Sequence, residues 1–416
     1  MTKGNRRVVV TGMGPVTPIG TGNEEFRDAL IRGENGISLL PIEEYGEEFP
    51  IKIAGQINDF NPESYAIGTK EAKRMDRSAQ FGIAATWEAL RDSNLHIGSQ
   101  EGDVSPEDVD ISLGVGGGGN KTSMTQIVNY CNGKKINPFT VTQTMPNSAA
   151  AQISIYYGIN GEAITTSSSC ASSGTAIGNA YYRIKGGRDL VIVGGLEACI
   201  NEFTLSAFDS MRALSRSTEP RYKVYDEESN GFVMGEGAGI LILESEEHAL
   251  QRGAPIYAEI LGYGATTDAQ HIASPDLNGK QLSRAIKLAL KDAGVRPEEI
   301  KYVNSHGTGT MNDGIEMKVM KDVFREFADS IPISSTKPMI GHLLGGATAV
   351  ETIATILGMN YNFLPGTINL EKPINGLDYV IETRTHQYTP IALKYSSGFG
   401  GHNTAIVLRR YVRDAT

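Results

Sequence analysis

The chain repeats itself. "EALRDSNL" at 88–95 is echoed by "LALKDAGV" at 288–295. After each copy a β-type run opens into a loop of small residues, "DISLGVGGGG" from 110 and "KYVNSHGTGT" from 301. A repeated helix–strand–loop unit points to two related halves, which we divide as residues 1–250 and 251–416.

The rest of the pattern agrees with an α/β chain. β-Type runs recur at Arg7–Thr11, Asp110–Val115, Ala163–Ser167, Leu190–Gly194, Gly239–Glu244, Ile256–Tyr263, Lys301–Asn304, Ile331–Ser335 and Thr404–Arg409. Helical patterns lie between them. Leu282, Ala285, Ile286 and Ala289 fall at i, i+3, i+4 and i+7, one buried helix face, and Gly294 stands where a C-terminal cap belongs. Such alternation builds layered sheets and helices.

Composition narrows the function. A net charge of -10 argues against nucleic acid, whose phosphates demand a dense basic surface. No apolar run approaches the ~18 residues that cross a bilayer. "MTKGNRRVVVTGMG" enters a β-type run almost at once, so no signal peptide is expected and a cytoplasmic location is. Cysteines 131, 170 and 199 show neither CxxC spacing nor a neighbouring His cluster, which leaves no disulfide framework and no metal site to expect.

Cys170 stands apart, in "TTSSSCASSGTAIG" at 165–178. Ile164 to Ser167 reads as extended, whereas Ile177, Ala180, Tyr181 and Ile184 form a helical stripe. The thiol is therefore placed beside a helix N-terminus, where free N–H groups and the dipole favour thiolate and lower its pKa. Small neighbours allow a sharp turn and leave room for substrate, as at a hydrolase elbow. Cys131 and Cys199 lack this setting and read as structural. His306, in "NSHGTGT", and His342, in "SSTKPMIGHLLGG", also follow β-type runs, and Lys337 precedes His342 by five residues. Cys with His is a recurring pair in covalent catalysis.

These motifs, in this order, resemble the elongating β-ketoacyl-acyl-carrier-protein synthases of the thiolase superfamily. The resemblance runs from "VVVTGMGPVTPIG" to "SSGFGGHNTAIVL" through "SSSCASSG", "GFVMGEGAG", "NSHGTGT", "SSTKPMIGHLLGG" and "SGFGGHN". It implies a thiolase fold, a five-layer αβαβα sandwich of two similar halves, dimeric through a strand near the nucleophile. It implies that Cys170 carries the acyl chain as a thioester and that His306 and His342 stabilise the malonyl group as it loses carbon dioxide. Phe399 would supply an oxyanion-hole N–H together with Cys170 and serve as a gate. Lys337 would order the His pair, with Glu316 as its carboxylate partner. Thr308 and Thr310 would meet the phosphopantetheine arm, and Phe208 would line the acyl pocket. No cofactor is implied beyond the phosphopantetheine of an acyl carrier protein. That carrier is acidic, as is this chain, so docking needs a local basic patch, which Lys70, Lys73 and Arg74 of "TKEAKRMDR" supply on one expected helix.

Three positions depart from the fatty-acid pattern. Ser397 replaces the first Phe of SFGFGG, Met311 alone separates "HGTGT" from Asn312, and Ala273 replaces a Thr in "HIASP". "SGFGGH" is also similar to the catalytic ketosynthase of type II polyketide systems, which pairs with a chain-length-factor subunit lacking the active Cys. The expectation is that catalytic ketosynthase, as a homodimer or paired with such a subunit. Housekeeping fatty-acid elongation is the alternative, and a non-catalytic partner subunit is set aside because Cys170 is present. A degradative thiolase would need a second, late cysteine, and none follows Cys199.

Overall fold

In the computed structural model, residues 6–98, 100, 104–374 and 376–412 are described. Ten strands carry the architecture: β1 (Val8–Thr17), β2 (Val109–Val115), β3 (Ala163–Thr166), β4 (Leu190–Glu197), β5 (Gly237–Ser245), β6 (Ala258–Thr267), β7 (Tyr302–Asn304), β8 (Pro332–Ser334), β9 (Ile391–Gly398) and β10 (His402–Arg410). Their spatial order is β3-β2-β4-β5-β1-β6-β10-β9-β7-β8. Both halves therefore use one topology, third–second–fourth–fifth–first. In each, the second strand runs parallel to its neighbours on both sides, and the remaining pairings are antiparallel. The halves join where Val8, Val9 and Val10 pair antiparallel with Ile260, Glu259 and Ala258.

Five helices complete the layers: α1 (Arg77–Asp92), α2 (Ser172–Lys185), α3 (Lys280–Ala293), α4 (Asn312–Phe324) and α5 (Ala347–Tyr361). α1 covers β1 and β5 on one outer face, and α3 covers β6 and β10 on the other. The two echoed segments thus end equivalent helices. Between the sheets lie α2 and α5, touching each other and strands of both halves. This arrangement is the thiolase fold.

Strand alternation sorts the side chains. Val191 and Val193 face the central layer with Ile177, Tyr181, Ile353 and Leu357, whereas Leu190 and Ile192 face α1 with Phe81 and Ile83. On the far side Leu282 and Ile286 of α3 pack over Leu393 and Val407. A truncation such as Ile353→Ala in this dry middle layer costs about 2–5 kcal/mol. Every residue of α5 from Ala347 to Met359 is buried. Its Thr352 and Thr355 hydroxyls donate back to Thr348 O and Glu351 O, which lets polar residues sit in the middle of the molecule.

Two expectations change here. Strand β9 was not foreseen, because Lys394 and Ser396 interrupt its apolar run; all of Ala392–Ser396 is nevertheless buried. Lys70, Lys73 and Arg74 do not share one helix. The helix there is Thr69–Ala72, with Lys73 as its C-cap and Arg74 beyond it.

Candidate active site

Carboxyl ends of strands deliver the functional side chains, as expected in α/β sheets. Beyond β3 the chain turns through Ser167–Ser169 into Cys170, and Ser169 adopts a left-handed φ of 53°. The serines of the motif build this turn. Ser172 Oγ accepts from Ser168 N at 2.9 Å and donates to Ser169 O at 2.6 Å, while the Ser168 and Thr175 hydroxyls lie 2.8 Å apart. Gly114 lets the start of α2 approach β2, since a Cβ there would come 2.2 Å from Ser173 N. Gly398 brings the chain before Phe399 against the Cys170 turn: a Cβ there would stand 3.0 Å from Cys170 N and 2.9 Å from Ser168 O.

Cys170 and His342 share the wall of a cavity of about 860 Å³, together with Phe208, Thr308, Thr310, Phe399 and Gly398. The His342 ring meets His306 edge-to-face at 5.4 Å. An aromatic row continues from it: Phe232 lies 5.3 Å from His342, Phe208 5.4 Å from Phe232, and Phe399 6.2 Å from Phe208 in a stacked pair. Three distant stretches of sequence therefore meet at one site.

Electrostatics differ from the expected picture at the sulfur. Cys170 lies one residue before Ala171, the N-cap of α2, yet burial outweighs the helix end and pushes its thiol up to about 12. Lys337 opposes this rise. Resting Cys170 is a neutral thiol. Burial, aided by the positive charge of Lys337 and Lys394, holds both histidines well below their usual pKa, so they are neutral imidazoles at neutral pH.

Lys337 does not pair with Glu316. Its ammonium lies 2.5 Å from Glu351 Oε1 and also donates to His306 O, tying the lysine to the His306 backbone. The other oxygen of Glu351 is 2.6 Å from Lys394 Nζ, which donates to Ser305 O at 2.9 Å and Tyr395 O at 2.8 Å. Burial lowers Lys394 to about 8 against the pull of Glu351. Glu316 instead accepts from Tyr225 Oη at 2.6 Å, Tyr395 Oη at 2.8 Å, Asn312 Nδ2 at 2.7 Å and Gly307 N at 3.0 Å. Asp313 accepts from Tyr225 N, Thr308 N and Gly309 N, and burial beside Glu316 raises it to about 7. The shortened segment around Met311 thus still aims both carboxylates at the His306 loop. Thr308 and Thr310 hydroxyls lie 2.9 Å apart on the cavity wall.

Glu351 and Lys394 were missed. The signal was a lone acid inside the apolar stretch 347–359 and a lone lysine inside a strand, since charges are seldom buried unpaired. Cys199 donates to Glu197 at 3.1 Å, a structural role, and Glu197 also accepts from Gly116 N, Gly117 N and Gly345 N. Cys131 is exposed rather than packed inside. Ser397, where an aromatic was expected, donates to Asn403 Oδ1 at 2.8 Å. Lys70, Lys73 and Arg74 are all exposed, and Arg74 lies over the Phe139 ring at 5.2 Å.

A thiol and a neutral imidazole on the wall of one cavity of a thiolase fold, with a second neutral imidazole in ring contact behind the first, mark a condensing acyltransferase. The chain matches the beta-ketoacyl synthase N-terminal domain over residues 5–249 and its C-terminal domain over 257–371. It is 38% identical over 416 residues to 3-oxoacyl-[acyl-carrier-protein] synthase 2 of a Synechocystis strain, covering 98% of each chain. The ishigamide ketosynthase/chain length factor superimposes with a TM-score of 0.90 at 32% identity, covering 98% of this chain and 100% of that one. A type II polyketide ketosynthase, solved with its acyl-carrier protein and bound to the hexaketide, gives 0.88 at 31%, with the same coverage. The protein belongs to the β-ketoacyl synthase family.

Proposed function

We propose that the chain is the catalytic ketosynthase of a type II polyketide synthase. Cys170 attacks an acyl-carrier thioester, and its proton passes to the departing carrier thiolate. The carrier thiol leaves and acyl-S-Cys170 forms. Malonyl carrier enters next. His306 and His342 donate N–H to its thioester oxygen, carbon dioxide departs, and the enolate attacks the Cys170 thioester. Backbone N–H groups of Cys170 and Phe399 hold the tetrahedral oxygen. The Cys170 sulfur is expelled and regains a proton, and the product is longer by two carbons. Oriented donors of this kind contribute a few kcal/mol each. Neutral imidazoles suit the role, because they donate without presenting a competing cation to the malonyl carboxylate. Lys337 is a positioning residue acting through His306 O, and Thr308 and Thr310 receive the phosphopantetheine arm. No cofactor beyond that arm enters the scheme.

The observation that carries this reading is the shared cavity of Cys170 and His342, with His306 in ring contact behind. The polyketide assignment draws on the type II polyketide ketosynthase neighbour and on polar wall residues such as Ser397. Fatty-acid elongation is the second reading, favoured by the 38% identity to a 3-oxoacyl-carrier-protein synthase 2. For partners we propose an acyl carrier protein and either a second copy or a chain-length-factor-like subunit. The unpaired outer side of edge strand β3 offers the place for either, and a chain length factor accompanies the ishigamide ketosynthase. The reading places the protein in the cytoplasm, with no nucleic-acid or membrane partner. No helix among the described residues is long and apolar enough to cross a membrane.

Incubation with acyl-carrier protein, followed by intact-mass measurement, tests the proposal. The wild type gains one acyl group and Cys170→Ala gains none. Chain elongation by Cys170→Ala refutes the nucleophile. Adding malonyl-carrier protein and each candidate partner then separates the pathways: poly-β-keto products support the polyketide reading, and single extensions of saturated chains support the other.

A further inference from the structure

One wall of the cavity contains a half-buried amide whose N–H groups have no protein partner among the described residues. This wall comes from the first half of the chain and includes Gly116, Gly117, Asn120, Cys199 and Thr204, whereas Thr308 and Thr310 lie on a wall from the second half. The orientation of the Asn120 amide is fixed by a chain of bonds. Thr204 N can only donate, so the atom of Asn201 facing it at 3.0 Å is Oδ1. Asn201 Nδ2 then donates to Cys199 O at 3.1 Å and to Asn120 at 2.9 Å. The receiving atom of Asn120 must be Oδ1, which also accepts the Thr204 hydroxyl at 2.6 Å. Asn120 Nδ2 is left with two N–H groups and no partner among the described residues.

Among Gly116, Gly117, Cys199 and Thr204, no side chain offers a second free donor beside it. The Cys199 hydrogen is committed to Glu197 and the Thr204 hydrogen to Asn120 itself. The two glycines contribute no side chain. Asn120 also opens the helix Asn120–Cys131, whose N-terminal end carries positive partial charge, so both influences favour an electronegative atom. A saturated chain lying here would cover the amide and leave its donors unsatisfied, whereas an oxygen on the chain would pair with them.

We propose that Asn120 is a specificity-determining residue that selects acyl chains bearing a keto or hydroxyl oxygen beyond the thioester carbonyl. The inference rests on the reading of Cys170 as the acyl-bearing nucleophile and refines its substrate class. Asn120 acts on the acyl chain and takes no part in bond making.

The test uses N-acetylcysteamine thioesters of octanoic acid and of 3-oxo-, 5-oxo- and 7-oxooctanoic acid, with Cys170 acylation followed by intact mass. The wild type is expected to acylate faster with at least one oxo thioester than with octanoyl, by about fivefold for one neutral hydrogen bond. Asn120→Asp keeps the Oδ1 acceptor for Asn201 and Thr204 but replaces both donors, so its ratio falls to one or below. Asn120→Leu, of similar size, removes the donors without adding charge and gives the same loss. Thermal unfolding of each variant separates lost selectivity from lost fold. Equal rates for oxo and saturated chains in the wild type overturn the proposal, as does an unchanged ratio in both variants. Complete absence of Cys170 acylation by all four thioesters overturns the nucleophile reading as well, and so is distinct from failed selectivity.

Discussion

Glu351 Oε1 lies 2.5 Å from the Lys337 ammonium where neither side chain reaches water. The same carboxylate meets Lys394 through its other oxygen, so one buried anion stands between two buried cations. Replacing one member of such a group leaves uncompensated charge, which costs about 3–5 kcal/mol. Glu351→Gln should lose stability on that scale in urea unfolding. It should also loosen the His306 backbone, because the Lys337 ammonium that holds His306 O is no longer anchored. A loss under about 1 kcal/mol would mean that the ion pair is not what holds this layer together.

The histidines and the cysteine should separate by step. In the proposed scheme both imidazoles act on the malonyl group rather than on the Cys170 sulfur, so removing one should leave Cys170 acylation nearly intact. Malonyl decarboxylation should fall by about 10²–10³ for His306→Ala or His342→Ala, the usual cost of losing one oriented donor. Carbon dioxide release and acyl uptake, measured on the same preparations, check this. Decarboxylation that survives both substitutions contradicts the assigned roles.

Much of this arrangement could be read from the chain, and the misses have a common cause. The echo at 88–95 and 288–295 marked equivalent helices because the same packing problem, covering an antiparallel strand pair, is solved twice. The small residues around Cys170 announced a sharp turn, which the structure shows at Ser169. What failed were the charges. Lys394 hid a strand, and Glu316 was assigned to Lys337 through motif order, whereas the partner comes from the middle of α5. Pairing of buried charges is decided by tertiary contact, which sequence spacing does not encode. The thiol failed likewise: a helix end predicts a lowered pKa, but enclosure of the sulfur dominates.

Acid should destabilise the protein through its histidines. In the unfolded chain a histidine binds a proton below about 6.5, while buried His306 and His342 stay neutral well below that. The unfolded state then holds more protons, so stability falls as pH drops beneath 6.5, by at most ~1.4 kcal/mol per pH unit for each histidine. Asp313, raised to about 7, and Glu197, raised to about 6, act oppositely. Each keeps a proton that the unfolded chain has already lost, and stability from them declines as pH rises toward those values. Comparing wild type with His342→Asn cancels the carboxylates. The variant's urea-unfolding free energy should fall less steeply between about pH 6.5 and pH 5, and parallel curves would show that His342 is protonated in the fold.

Docking gives the last test. Lys70, Lys73 and Arg74 are exposed cations on a chain whose net charge is -10, so an acidic carrier meets general repulsion and finds attraction only locally. Exposed charges are screened over about 8–10 Å at ordinary ionic strength, so that attraction must weaken with salt. Arg74 differs from the two lysines because its guanidinium rests over Phe139 at 5.2 Å, which fixes its direction. Lys70→Glu with Lys73→Glu should weaken carrier binding by about tenfold at low salt, and the gap should narrow as salt rises. Arg74→Glu alone should cost nearly as much, because it releases the Phe139 ring as well as the charge. Titration of fluorescently labelled acyl-carrier protein at two salt concentrations measures both effects. Affinity unchanged in all these variants, or a deficit indifferent to salt, would place the carrier on another face.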